Sequence, residues 1–233
     1  MPPRRRLTPA DRRAQLLAVG ARLFSAAPYD EVLMEDVAQQ AGVSRALLYQ
    51  HFPSKHALFA AVYQQAADRL LEATRLDPDA TLVEQLAQGM DAHLDYFIAN
   101  RHAVLAANRV LAGDPVIQTI MTNELDALRS RLLGVLPLAG GTDGTDGTGG
   151  ADREGGGTHA AVSSALRAWL VFVQVLCVDW LTHETCTRAE LRDTCIGAAV
   201  GALRALLPED PAPDWPPPGR RSQAPYACGD RES

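Results

Sequence analysis

The stretch of residues 35–55 constrains the fold of this chain more than any other part of its sequence. Ala38 has the small side chain that two closely crossing helices require, and Gly42, four residues later, can adopt the positive φ of a tight turn. Ser44 can cap a second helix that starts after this turn. Apolar residues that could pack between the two helices are Val43, Leu48 and Phe52. The pattern predicts a helix-turn-helix whose second helix would present its N-terminal turn to the major groove of DNA.

Signals that start helices recur along the rest of the chain, and no segment shows the alternation typical of a β-strand. Capping boxes begin at Thr8, Thr81 and Thr187, and Asp114 precedes a proline that can begin a helix. Together with the helical periodicity, these signals predict an all-α fold of about nine helices. Their expected ranges are residues 9–26, 34–41, 45–51, 55–76, 82–100, 102–112, 115–136, 159–184 and 188–207.

Composition predicts four segments along the chain. They are a basic N-terminal arm at residues 1–8, a three-helix helix-turn-helix domain at 9–56, a larger helical domain at 57–207 and a Pro-rich tail at 208–233. The tail is expected to be disordered because proline cannot continue a helix. Within the larger domain, residues 139–157 include nine glycines and predict a flexible loop, since they cannot bury enough apolar surface to offset ordering.

The net charge of −6 is unevenly distributed. Residues 1–56 contain eight Arg or Lys against five Asp or Glu, whereas residues 57–207 contain 11 Arg against 18 acidic residues. Because DNA attracts local positive charge, the N-terminal part is the expected nucleic-acid surface. Arg4, Arg5 and Arg6 either form an arm that enters the minor groove or remain solvated.

The helix-turn-helix stretch resembles the TetR/AcrR family of repressors over residues 9–63. The residues that carry the resemblance are the Val-Ala-Gln-Gln-Ala-Gly-Val-Ser run at 37–44, Leu-Tyr-Gln-His-Phe at 48–52 and the Ser-Lys pair at 54–55. The resemblance implies a homodimer that is formed by the last two helices, a ligand pocket among the middle helices and repression that a small-molecule effector relieves. It implies a mainly apolar effector and binding to a double-stranded, palindromic DNA operator.

Carried over by position, the resemblance implies that seven residues contact DNA: Ser44, Arg45, Ala46, Leu47, Tyr49, His51 and Lys55. Arg45 could bind a guanine edge through two hydrogen bonds, while Tyr49 and Lys55 would contact phosphates. His51 either faces phosphate or packs against the first helix. Leu47 either contacts a thymine methyl group or packs.

The larger domain offers a dimer surface and a candidate pocket. The predicted eighth helix is apolar nearly all round over residues 165–181, and the ninth is rich in small residues, so two copies of this pair could form a four-helix interface. The candidate ligand-binding residues, which are alternatively ordinary core, are His93, Tyr96, Phe97, Asn108, Met121, Trp169, Phe172 and Gln174.

The same sequence weighs against several other classes of protein. Four scattered cysteines predict free thiols, and the trio His183, Glu184 and Cys186 is better explained as a helix end than as a metal site, so neither metal nor cofactor is expected. No uninterrupted apolar run approaches about 20 residues and no secretory signal is evident, which predicts a cytoplasmic protein that does not span a membrane. Enzyme motifs are lacking. Glu35 and Leu47 leave open an adaptor whose degenerate helix-turn-helix binds only protein.

Overall fold

The computed structural model describes residues 7–73, 80–136, 138, 151–207 and 209–213, and throughout these ranges the regular structure is helical. A 3-10 turn lies at Tyr29–Glu31, and a π-helical turn lies at Ala106–Val110. The all-α prediction is confirmed. The α-helices within the described residues are α1 (Pro9–Ala26), α2 (Met34–Ala41), α3 (Arg45–His51), α4 (Lys55–Ala73), α5 (Leu82–Ala99), α6 (Arg101–Leu105), α7 (Pro115–Val135), α8 (Ala151–His183) and α9 (Arg188–Arg204).

The predicted caps set the starts of four helices. Thr8, Thr81 and Thr187 each accept the N–H of the acidic residue three positions later, and that residue's carboxylate accepts the N–H of the threonine. Asp114 accepts the first two available N–H groups of α7. Each cap satisfies helix-end donors that would otherwise lack partners, so these starts follow directly from the sequence.

Two predicted ranges are wrong. The helix expected at 102–112 is α-helical only to Leu105 and continues as the π-turn, a one-residue insertion that apolar periodicity does not reveal. Helix α8 begins at Ala151 rather than 159, so the glycines at 155–157 are helical. Once a helix is nucleated, each further residue adds a hydrogen bond, which offsets the cost of glycine. The other parts of the predicted loop (139–150), arm (1–6) and tail (208, 214–233) lie outside the described residues.

The first apolar core joins the N-terminal helices to the larger domain. Its fully buried centre contains Leu16 and Phe24 of α1, Leu48 of α3, Phe59 of α4, and Phe52, which directly follows α3. The same core also includes three alanines from α6 and the π-turn and two isoleucines from α7: Ala103, Ala106, Ala107, Ile117 and Ile120. Helix α4 packs against both α1 and α7. The N-terminal helices are therefore continuous with the larger domain through packed side chains.

The second apolar core lies among α5, α7, α8 and α9. Leu94, Val162, Ile196 and Val200 are fully buried in it. The indole N–H of Trp169 on α8 donates a 2.8 Å hydrogen bond to the Cys195 carbonyl on α9, which fixes the two helices against each other. Among the cysteines that the structure describes, three carry free thiols: Cys177, Cys186 and Cys195.

Helix α8 contains a stretch long and apolar enough to be considered as a membrane span. By length and composition alone, Gly156–His183 could cross a membrane, and 33% of its most apolar window is buried in the fold. The sequence expectation relied on uninterrupted apolar runs, whereas mean hydropathy tolerates Arg167 and Asp179 within the stretch. A core helix of a globular protein meets the same criteria, and α8 packs against α5, α7 and α9.

Candidate nucleic-acid interface and internal cavity

The turn between α2 and α3 has the geometry that the sequence predicts. Gly42 adopts φ 63° and ψ 37°, and its N–H donates to the Gln39 carbonyl at 3.0 Å. The N–H of Val43 donates to the Ala38 carbonyl, also at 3.0 Å. These two bonds close the end of α2 in the manner of a left-handed helix cap. The Ser44 hydroxyl then accepts the N–H of Leu47 at 3.2 Å, which starts α3 immediately after the turn.

Helix α3 presents the predicted DNA-contacting residues on its outer side. Leu48 is fully buried and anchors the helix, whereas Ser44, Arg45 and Ala46 are exposed. Tyr49 is 39% exposed. The remaining helix residues of the predicted set, Leu47 and His51, are partly buried. The first turn of α3 is therefore accessible to a binding partner.

Arg45 has an acidic neighbour that the sequence alone does not pair with it. Its Nη2 atom lies 2.6 Å from Oε1 of Glu35, on the preceding helix, and both side chains are about half exposed or more. Exposed ion pairs of this kind are weak, so DNA could compete for the guanidinium. A contact between Arg45 and a base stays a prediction.

Lys55 and His51 also have partners within the fold. The Lys55 ammonium donates to the carbonyls of Tyr29, at 2.9 Å, and Asp30, at 3.3 Å, and lies 4.5 Å from the centre of the Tyr29 ring. It thereby ties the start of α4 to the turn that precedes α2. The His51 carbonyl accepts a 3.4 Å bond from Arg13 of α1. Phosphate contacts from Lys55 and His51 stay predictions.

A cavity of about 80 Å³ lies between α4, α5, α7 and α8. The structure brings five of the predicted ligand-binding residues to its wall: His93, Tyr96, Phe97, Trp169 and Gln174. Asn108 accepts a 2.8 Å hydrogen bond from Gln174 but lines a separate surface cleft, as does Met121. Phe172 lies outside both and is 40% exposed. Asn108, Met121 and Phe172 therefore do not line this cavity, because the side of each helix that faces it depends on tertiary packing. Ligand binding by any residue of the set stays a prediction.

Comparison with known proteins identifies the N-terminal domain. Residues 16–62 match the family profile described as bacterial regulatory proteins, tetR family. These residues therefore form a TetR-family domain. It is 41% identical over 70 residues to the HTH-type transcriptional activator FasR of Mycolicibacterium smegmatis, covering 30% of this chain and 32% of that protein. It is 34% identical over 118 residues to the HTH-type transcriptional regulator RutR of Escherichia coli, covering 48% and 54%.

The TetR-family fold extends beyond the matched domain. A tetR-family transcriptional regulator from Streptomyces coelicolor superimposes with a TM-score of 0.69 at 24% identity, covering 85% of this chain and 83% of that structure. FadR from Bacillus subtilis, solved in complex with stearoyl-CoA, gives a TM-score of 0.57 at 14% identity, covering 81% and 98%. The chain spans a third to about half the length of the curated relatives that it matches most significantly.

The cavity wall also carries polar residues that the sequence does not single out. Tyr63 comes from α4, Gln85 from α5, and both Glu124 and Arg131 from α7. Only the contacts between helices reveal that these residues share one space. The residue pattern does place Tyr63, Glu124 and Arg131 on helices, yet it gives no sign that they point toward α5.

Burial shifts the pKa of four titratable groups of the cavity wall: His93, Glu124, Tyr63 and Tyr96. It lowers the pKa of His93 to about 4, so the imidazole is neutral at physiological pH. The Nε2 atom of His93 is buried and has no hydrogen-bond partner among the described residues. Burial, together with the nearby Asp68 carboxylate, raises the pKa of Glu124 to about 7. Glu124 in turn contributes to the raised pKa of the Tyr63 and Tyr96 hydroxyls, although burial is the larger cause.

Proposed function

We propose that this chain is a cytoplasmic transcription regulator that binds a palindromic DNA operator as a homodimer and releases it when a small molecule enters the cavity. The observation that carries the proposal is the exposed first turn of α3, which is capped by Ser44 and presents Arg45 beside a turn closed by Gly42. Helices of this kind enter the major groove, where an arginine can bind guanine O6 and N7.

An apolar surface on the last two helices supports dimer formation. On α8, the exposed apolar residues include Val171, Phe172 and Val175, whose exposed fractions are 46%, 40% and 64%. On α9 and at the residue that caps its C-terminus, the exposed positions Ala198, Gly201 and Ala205 are small and lie on one side. Small residues allow a close approach of helices, and a contiguous apolar patch favours a protein partner. A two-fold axis through this surface would present two copies of α3 to a symmetric operator.

Helix α4 supports a connection between effector and DNA. It begins at Lys55, directly after α3, and places Tyr63, Ala67 and Leu70 in the cavity wall. The ring of His56 at its start lies 2.9 Å from the carboxylate of Asp114, the residue that caps α7. A ligand that moves α4 or α7 would therefore change the position of α3, and the two copies of α3 would no longer fit successive major grooves.

Repression is the form of regulation that we propose, because release by a ligand relieves a block on transcription. The names of the relatives include both an activator and a regulator, so the direction of regulation needs its own test. A promoter fused to a reporter gene would provide it. Higher expression after deletion of the protein would support repression, and lower expression would contradict it.

Selection of bound sequences from random DNA duplexes tests the proposed operator binding. We expect an enriched palindrome whose half-sites are about one helical turn apart. Arg45→Ala should change the preferred base at one position of each half-site, whereas Tyr49→Phe should weaken binding to all sequences similarly. Gln50→Ala, at an exposed neighbouring position, is the matched control and should retain the wild-type preference.

The same experiment separates DNA binding from the adaptor alternative. A DNA-binding protein loses affinity steeply as salt increases, because phosphate contacts release counterions. No enriched sequence, together with no salt-dependent shift on any duplex, would contradict operator binding and favour a protein adaptor.

A further inference from the structure

The cavity is elongated and has chemically different ends. The pairs Tyr63 and Leu70 on α4, and Glu124 and Arg131 on α7, are each seven residues apart, which corresponds to about 10 Å along a helix. Helices α4 and α7 run side by side in the same direction, since His56 contacts Asp114 at their starts and Arg131 contacts Leu71 near their ends. Tyr63 and Glu124 therefore share one end of the cavity, which Tyr96 also lines. Arg131 donates to the backbone carbonyl of Leu71 and so marks the other end.

Within the part of the chain that the structure describes, no positive charge compensates the acidic end. Glu124 makes no hydrogen bond or ion pair with any residue that the structure describes. The groups that interact with it electrostatically include the hydroxyls of Tyr63 and Tyr96, which line the same cavity, and the carboxylate of the exposed Asp68, which accepts a 2.9 Å bond from Gln64. Burying a carboxylate without a partner is costly, and a second carboxylate nearby increases that cost. A cation at this end would remove both penalties.

The basic end is less available to a ligand. The Arg131 guanidinium is already bonded to the last turn of α4, which satisfies part of its donor capacity. Between the two ends the wall is mainly apolar and aromatic, with contributions from Met90, Phe97, Trp169 and Val173. Aromatic faces attract cations as well as apolar groups. The wall thus favours an apolar body, and its charges favour a positive group at the Glu124 end.

We propose that the cavity binds an elongated, mainly apolar molecule that carries a basic nitrogen at one end, with the Glu124 carboxylate as counter-ion. This inference rests on the proposed function only in treating the cavity as the effector site. Ligand sites usually exceed about 300 Å³, so a cavity of about 80 Å³ must widen to admit such a molecule. Gly89 lines the cavity and has open space beside its Cα, which gives room on the α5 side.

Three probes with one carbon skeleton test the charge preference: 4-phenylbutylamine, 4-phenylbutan-1-ol and 4-phenylbutyrate. Isothermal titration calorimetry on the full chain without DNA, at a pH of about 8, measures each affinity. We expect the amine to bind at least about tenfold more tightly than the alcohol and the carboxylate to bind most weakly. Glu124→Gln should reduce the amine to the level of the alcohol and leave the alcohol unchanged. Glu72→Gln, which removes an exposed carboxylate from α4, is the matched control and should retain the preference.

Four results would overturn the inference: equal affinity for amine and alcohol, tightest binding of the carboxylate, an amine affinity that Glu124→Gln does not change, or no binding of any probe.

Gel shifts on the selected operator keep this test separate from the proposed function. Operator binding without amine preference would overturn the inference alone. Amine preference that depends on Glu124 in a protein that binds no operator would support the inference and contradict the proposed function.

Discussion

Arg45, the side chain best placed to read a base, is paired with an acid from the preceding helix, since its Nη2 lies 2.6 Å from Oε1 of Glu35. DNA binding must break this pair or place a carboxylate near phosphates. We therefore expect Glu35→Gln to raise operator affinity by up to about fivefold, since an exposed pair contributes up to about 1 kcal/mol. Gel shifts at fixed salt would measure the change.

Asp36→Asn is the control for this substitution, because it removes the same charge from the same turn of α2 without breaking the Arg45 pair. A smaller gain is expected from it. Weaker binding after Glu35→Gln would instead show that Glu35 contacts the operator, for example by accepting a hydrogen bond from cytosine N4.

Lys55, the sole lysine in the sequence, should contribute to stability as well as to DNA binding. Its ammonium donates to the carbonyls of Tyr29 and Asp30. Lys55→Met keeps most of the apolar stem but removes both bonds, so the free energy of unfolding in urea should fall by about 1 to 2 kcal/mol. If Lys55→Met weakened DNA binding without lowering the free energy of unfolding, Lys55 would contribute to phosphate contact and not to stability.

Gly42 should resist replacement for conformational reasons alone. Its φ of 63° is unfavourable for residues with a Cβ atom, although open space surrounds it. Gly42→Ala should lower the free energy of unfolding by about 1 to 2 kcal/mol, and Gly42→Asn by less, because asparagine tolerates this conformation better. Gly134→Ala, in the last turn of α7, should be neutral or stabilising. An equal loss at both glycines would contradict the explanation.

Phe172 and Val175 test the proposed dimer surface on α8. A glutamate at either position would bring charge into an apolar interface, so we expect monomers in sedimentation velocity and at least about tenfold weaker operator binding. Ile98→Glu is the control, since Ile98 is an apolar residue on α5 with 47% exposure. Dimers that persist in both α8 variants would move the interface elsewhere.

Glu124 should make stability depend on pH. Its pKa is raised from 4.5 to about 7, so the folded chain holds this proton longer than the unfolded chain does. The group's contribution is therefore fully favourable below about pH 4.5 and is lost as pH rises through about 7. Glu124→Gln should match the wild type near pH 4.5 and exceed it by up to roughly 3 kcal/mol at about pH 8.

The pH dependence of stability has to be compared between the wild type and Glu124→Gln, because His93 changes stability with pH in the opposite direction. Its lowered pKa stabilises the folded chain at higher pH, and this contribution is lost as pH falls from about 6.5 to about 4. The two groups partly cancel in the wild type, whereas the difference between wild type and variant isolates Glu124. A difference that stays constant with pH would contradict the raised pKa.

Local signals in the sequence predict most of the helices, and they predict the turn between α2 and α3 better than the cavity. Thr8, Ser44 and Asp114 act through atoms within three residues of themselves, so their roles can be read before any fold is known. The pairing of Arg45 with Glu35 and the meeting of Tyr63 with Glu124 depend on how separate helices pack. Periodicity carries no information about that packing.

Substitutions in α4 would change the ligand preference of the cavity at a greater cost than substitutions elsewhere in the cavity wall. Changes at Tyr63 or Ala67 would reshape the cavity, but they would also disturb the helix that directly follows α3, which we propose to contact DNA. Gly89 on α5 and Val173 on α8 line the same space from helices that lie outside the N-terminal domain. Engineering this protein to sense another compound should therefore succeed first by substitutions at those two positions. Such substitutions can change which ligand the cavity binds while the proposed operator binding is retained.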